Sequence, residues 1–208
     1  MLFRSVYHSF STTAGDSLNN LFDPTPRAIV AHPSLETGAQ LQVGGVLPDA
    51  RFLSKTAVPL TPPDPTQGLS SNRAMNVYTS TSADVPIIKN EELILLRAEA
   101  NINLNDLASA VTDLNEIRQE SGNLPPYPGP VTQDALITEL LYNRRYSLLL
   151  EGGHTWIDAR RYDRLTALPQ DASALGPTLR FRRFPFPTNE CLARATPPAA
   201  GCTPEPGF

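Results

Sequence analysis

The feature that most limits what this chain can fold into is the placement of its prolines. Of 208 residues 21 are proline, yet none falls between residues 87 and 124 or between 131 and 168. An interior proline removes a helical hydrogen bond and clashes with the preceding turn, so helices of more than a few turns are confined to those two windows. The chain therefore divides into a loop-rich, irregular part over 1–86, a helical core over 87–168, and an extended segment with a proline-rich tail over 169–208. All three are read as parts of one domain, since a chain of this length can bury one sizeable core.

Inside the first window, "NEELILLRAEANINL" places Leu93, Leu96, Ala100 and Asn103 at helical spacing, with Ile94, Leu95 and Ala98 also apolar. Such a helix is apolar on most sides and should be well buried. "LNDLASAVTDLNEIRQESG" follows at once, with Leu107, Ala110, Val111, Leu114 and Ile117 on one face and Gly122 as its terminator. Joined by so short a break, the two form a hairpin of the tetratricopeptide type, in which Ala98, Ala108 and Ala110 let the backbones approach. One hairpin cannot bury its own face, so it must stack on further helices. The second window supplies one, "TQDALITELLYNRRYSLLLEG", with Thr132 as cap, Asp134 in the first turn and Gly152 and Gly153 as its end. In the first 86 residues, "VGGVLPDARF" and "AMNVYTSTS" read as short extended pieces.

The segment "LLLEGGHTWIDARRYDRL" sets the functional question, because a histidine lies among carboxylates there. The enzymatic reading is a glycoside hydrolase, with Glu151 and Asp158 as the carboxylate pair and His154 as proton carrier. No nucleophile elbow, metal-binding histidine pair or phosphate-cradling glycine loop accompanies it. The alternative is a structural corner built on Glu151, Gly152, Trp156 and Asp158. There Glu151 accepts hydrogen bonds from arginine or backbone, Trp156 fills the gap between helices, and His154 opens a further helix of about three turns. This structural reading is the one carried forward, with no catalytic residue and no cofactor. Tyr78 and Tyr127, in loops, are the candidate ligand contacts, because sugar faces stack on aromatic rings and loops carry such sites. Arg180, Arg182 and Arg183 read as solvated residues flanking a strand.

A formal net charge of -4 offers no broad attraction for phosphate backbones, so nucleic acid is not expected as a partner. No apolar run reaches the roughly 18 residues that a spanning helix needs. Zinc is not expected either: His8, His32 and His154 are scattered, and the only cysteines, Cys191 and Cys202, match no common metal spacing. For the cysteines two readings stay open. One is a disulfide closing the tail loop in an oxidising compartment; the other is two unrelated thiols.

Four stretches, in order, carry a family resemblance: "PDARF", "VPIIKNEELILLRAEANINLNDLASAVTDLNEIRQESG", "ELLYNRRYSLLLEGGHTWIDARRYDRL" and "RRFPFPTNE". Together they resemble the carboxy-terminal portion of the SusD/RagB family, surface-exposed nutrient-capture lipoproteins of outer membranes. The resemblance runs from about residue 48 to 191. It implies a mainly α fold, a SusD-like α-α superhelix of tetratricopeptide-like hairpins with long irregular proline-rich loops. It also implies a non-enzymatic role: capture of glycans or other nutrient oligomers for polysaccharide utilisation, with delivery to a SusC-like TonB-dependent transporter. The protein would then sit peripherally on the cell-surface side of the outer membrane, held by a lipid anchor. The opening "MLFRSVYHSFSTTAGDSLNN" has neither an uninterrupted apolar core nor a cysteine. Family members are also longer, so the expectation is a fragment. One departure stands out: where the family carries a basic residue before its aromatic, this chain has Thr155. A helical-repeat adaptor that binds another protein through a groove is the alternative function.

Overall fold

The computed structural model describes residues 5–23, 29–59, 71–169, 172–173, 176–177 and 186–193. The chain is mainly helical, and its contacts divide it into two units. One unit comprises residues 1–65 and 69–155; the other comprises 66–68 and 156–208.

The first unit begins with strand β1 (Val6–His8), followed by helices α1 (Ser34–Thr37) and α2 (Ala50–Lys55) and strands β2 (Thr56–Ala57), β3 (Ala74–Met75) and β4 (Val85–Ile88). β1 pairs antiparallel with β4, Val6 opposite Ile88 and His8 opposite Val85, and β2 pairs antiparallel with β3. "PDARF", expected to be extended, instead starts α2. Asp49 caps that helix by accepting the Arg51 amide at 2.9 Å, an oxygen-to-backbone bond that stabilises helix entry.

The longer helices α3 (Asn90–Asn103), α4 (Leu107–Glu120) and α5 (Gln133–Ser147) fill the proline-free windows. α3 stops where Asn105 takes a left-handed φ of 62°, and Asp106 caps α4 by accepting the Ser109 amide. The resulting α3–α4 hairpin packs on α5, as a single hairpin with an unburied face must. Thr132 caps α5 as expected, accepting the Ala135 amide. α5 ends at Ser147, before the glycines. Lys55 closes its C-terminus, with Nζ donating to the carbonyls of Tyr146 (3.0 Å) and Ser147. A cation there satisfies carbonyls that have no helical partner.

Ala110, Leu114 and Ile117 of α4 and Leu136 and Leu140 of α5 are buried, in agreement with the expected periodicity. α3 differs. Its buried stripe is Ile94, Leu95, Ala98 and Ile102, while Leu96 is 46% exposed. Both stripes have helical spacing, so periodicity does not choose between them. The choice falls with Glu99, which lies on the buried side and pairs with buried Arg144 of α5 at 2.6 Å. A second cluster joins Ala31, Leu35 and Phe52 to Tyr146 of α5, whose hydroxyl donates to Leu35 O at 2.8 Å.

Helix α6 (His154–Arg161) runs from the end of the first unit into the second and is shorter than the expected three turns, because Asp163 takes a left-handed φ of 54°. In the second unit a 3-10 turn at Leu165–Ala167 follows, then the paired strands β5 (Ala172–Ser173) and β6 (Gly176–Pro177), and helix α7 (Thr188–Ala193).

The α3 assignment is directly testable by denaturant unfolding. Leu95→Ala should cost about 2–5 kcal/mol, as buried leucine truncations do, and Leu96→Ala should change stability by no more than about 0.5 kcal/mol. Equal losses would place the buried stripe elsewhere.

Candidate functional site

Asp49 and Arg51 form the polar centre of the first unit, with neither side chain more than 3% exposed. Arg51 donates Nε to Asp49 Oδ1 at 2.9 Å and Nη2 to Oδ2 at 2.6 Å, a bidentate pair. Its remaining nitrogen, Nη1, reaches Asn143 Oδ1 and Ser147 Oγ on α5, each at 3.0 Å. Tyr142 donates its hydroxyl to Asp49 Oδ2 at 2.7 Å and accepts the Gln40 amide at 2.9 Å. Burial and the adjacent Asp49 charge push that phenol well above its ordinary value, so it remains a donor.

From this centre the network reaches a loop through Arg118, a residue only 1% exposed. Its Nη1 donates to Glu139 of α5 and to Gln40 Oε1 (2.7 Å), and its Nε donates to the Pro125 carbonyl at 3.0 Å. Three positions earlier on α4, Asn115 Oδ1 accepts the Tyr127 amide at 2.7 Å. Two side chains of one helical turn thus grip the backbone of "LPPYPGP" two residues apart. The loop is stiff in itself, since proline fixes φ and keeps each preceding residue extended. Tyr127 is half-buried, its hydroxyl donates to Pro130 O at 3.2 Å, and its ring folds over Gly129. A Cβ at 129 would meet the ring carbon Cζ at 2.5 Å, so the glycine is what admits the ring.

The segment at 148–154 forms a tight corner. Leu150, Gly152 and Gly153 all have positive φ, a conformation that only glycine adopts without cost. Glu151 was expected to meet arginine or backbone; its partners are lysines instead. Lys89 Nζ lies 2.5 Å from Glu151 Oε1, and Lys55 Nζ lies 3.9 Å from the same oxygen. His154 Nε2 is 3.8 Å from Glu92 Oε1. The Lys89 and His154 pairs tie the corner to the start of α3, and Lys55 ties it to α2. Tyr78 is near enough to feel the Glu151 charge, and burial together with that charge raises its phenol pKa. It is only 8% exposed, a buried ring packed beside the corner.

The remaining expected residues lie in the second unit. Trp156 is half-buried, with the Arg160 guanidinium 4.4 Å above its ring, an arrangement that leaves the indole an apolar contact and a cation. Asp158 is buried. Cys191 is half-buried and disulfide-bonded, whereas Cys202 and Arg180, Arg182 and Arg183 lie outside the described residues. Among the described residues no helix is long and apolar enough to cross a membrane, and no three ligating side chains cluster as a metal site.

Arg118, Asn115, Lys55 and Lys89 had not been singled out from sequence. A faint signal existed for the first two: they precede Gly122 and the proline cluster at 125–130 on a helix whose other face is apolar.

The chain matches the SusD family over residues 66–190, more than half its length, and it belongs to that family. Among solved structures it is similar to a SusD superfamily protein from Bacteroides vulgatus ATCC 8482, at 19% identity and a TM-score of 0.51, over 62% of this chain and 32% of that one. It is also similar to a SusD superfamily protein from Bacteroides fragilis NCTC 9343, at 16% identity and a TM-score of 0.46, over 62% of this chain and 28% of that one. The chain thus spans about a third of the length of the first of these structures. No curated protein matches it.

Lys55 gives the corner a pH signature. Burial first, and the Lys89 charge second, push its pKa from 10.5 down to about 8, with Glu151 and Glu91 opposing. Between those values the unfolded chain holds a proton that the folded chain has released, so stability rises with pH. Denaturant unfolding at pH 7.5 and pH 10 should show wild type gaining on Lys55→Met by up to about 3 kcal/mol. A loss across that interval would contradict the assigned direction.

Proposed function

We propose that this chain is the ligand-bearing, carboxy-terminal part of a non-catalytic binding protein on the outer face of an outer membrane. It captures glycans or other nutrient oligomers and passes them to a SusC-like TonB-dependent transporter. A lipid anchor holds the protein at the membrane. Residues 1–86, 87–168 and 169–208 act as parts of one SusD-like domain, and Cys191 pairs with Cys202 in its tail.

The observation that carries this reading is the family match over residues 66–190. The geometry supports it in two ways. Glu151, one of the two carboxylates of the hydrolase reading, is engaged by the ammonium groups of Lys89 and Lys55, as a structural ion pair would be. Tyr127 sits on a stiff loop clamped from below, the way a scaffold presents a contact residue. A helical-repeat adaptor is the second reading, favoured by the exposure of Leu96 and Leu104 on the α3–α4 hairpin.

Calorimetry on the whole protein should find an oligosaccharide Kd between micromolar and millimolar, roughly 4–8 kcal/mol. Tyr127→Ala should weaken it about tenfold, the scale of a lost aromatic contact. The same mixtures should yield no cleaved product. Turnover that vanishes with Glu151→Gln would overturn the binding-only reading, and capture of a protein partner with no saccharide binding would favour the adaptor.

A further inference from the structure

We infer that the ligand is a neutral oligosaccharide, and that it lies across two hydrogen-bonded loops at residues 37–48 and 121–133; this rests on the glycan-binding reading above. Neither segment contains an Asp, Glu, Lys, Arg or His: the sequence is uncharged from Thr37 to Pro48 and again from Ser121 to Gln133. In a chain with 18% charged residues, two such surface stretches in direct contact are a notable concentration of uncharged surface.

The contact between them is built. The Val43 amide donates to Asn123 O at 2.9 Å, and Asn123 Nδ2 donates to Gln42 Oε1 at 2.6 Å. The first loop is a tight knuckle closed by the Leu41–Pro48 bridge and by the Gln42 amide on Leu47 O at 2.8 Å. Gly44 and Gly45 turn its tip with φ of 102° and 73°. The knuckle turns its valine side chains outward: Val43 is 67% exposed and Val46 81%. The second loop is held by Asn115 and Arg118, and exposes Pro125, Pro126 and Pro128 beside Tyr127.

Of the charged groups packed against this surface, Arg145 beside Gly38 donates to Ser34 Oγ at 2.6 Å, and the others are paired. Arg118 pairs with Glu139, and Arg51 with Asp49, all of them buried. A uronate or sulfated sugar would therefore find no guanidinium or ammonium on either loop to replace its hydration, and burying its charge unpaired is costly. The C–H faces of a neutral pyranose ring are apolar, and they match proline, valine and tyrosine surfaces with no charge to desolvate. Val43 and Val46 sit on the loop bonded to that of Tyr127 through Asn123, so a ligand lying across both loops spans several sugar units.

The test is calorimetry on the full chain with a neutral panel (malto-, xylo- and mannan-derived hexaoses) and a charged panel (hexagalacturonate and a sulfated hexaose), at 50 and 500 mM NaCl. At least one neutral hexaose should bind, with Kd changing less than twofold between the two salts, and both charged ones should bind at least tenfold more weakly. Val46→Asp, at a position too exposed to unfold the chain, should weaken the neutral ligand about tenfold, and Val46→Leu should retain it. Preferential binding of the charged panel, or a neutral Kd unmoved by Val46→Asp while Tyr127→Ala weakens it, overturns this inference and leaves the glycan-binding reading standing. Failure of every hexaose to bind overturns both.

Discussion

The first unit depends on one buried ion pair, Asp49 with Arg51. Two charges removed from water cost more than their attraction returns unless every remaining hydrogen-bonding position is met. Here they are met. Asp49 receives the guanidinium, the Arg51 amide and the Tyr142 hydroxyl, while Arg51 also donates to Asn143 and Ser147. A hydrophobic contact between α2 and α5 would tolerate several registers; this set of directed bonds tolerates one. The pair therefore acts through specificity more than through net stabilisation, a role for which buried polar groups are suited when fully satisfied.

Its position explains how a loop-rich region acquires a rigid surface. Gln40, which bonds Tyr142 and receives Arg118, lies at the start of the knuckle loop. Arg118 in turn fixes the proline loop. Charged residues of α4 and α5 thus point inward to organise two loops whose own surfaces carry no charge. The buried network keeps the loops in place without using their exposed residues, so on the proposed glycan-binding reading the surface can change while the scaffold is kept.

Much of the helical scaffold was legible in the sequence because its signals are local. Proline-free windows bounded α3, α4 and α5, Thr132 marked a helix start, and Ala110, Leu114 and Ile117 marked a face. The buried stripe of α3 was not legible, since two apolar stripes compete and the arbiter, Glu99 with Arg144, joins residues 45 positions apart. "PDARF" was read as extended because its helix is short and its reason for forming lies in the Asp49 cap and the distant Asn143. The partners of Glu151 were misread for the same reason: Lys89 and Lys55 arrive from other segments. Tyr78 and Tyr127 look alike in sequence, both in polar or proline-rich surroundings. Only tertiary packing separates the buried ring from the one presented on a loop.

The claim that the Asp49–Arg51 pair organises this unit is tested most directly by a double-mutant cycle in denaturant unfolding. Arg51→Met should cost about 3–5 kcal/mol, because it strands a buried carboxylate, and adding Asp49→Asn should recover a substantial part of that loss, because the stranded charge is gone. A single-variant loss below about 1 kcal/mol, the scale of a surface ion pair, or a double variant no better than Arg51→Met, would contradict the account.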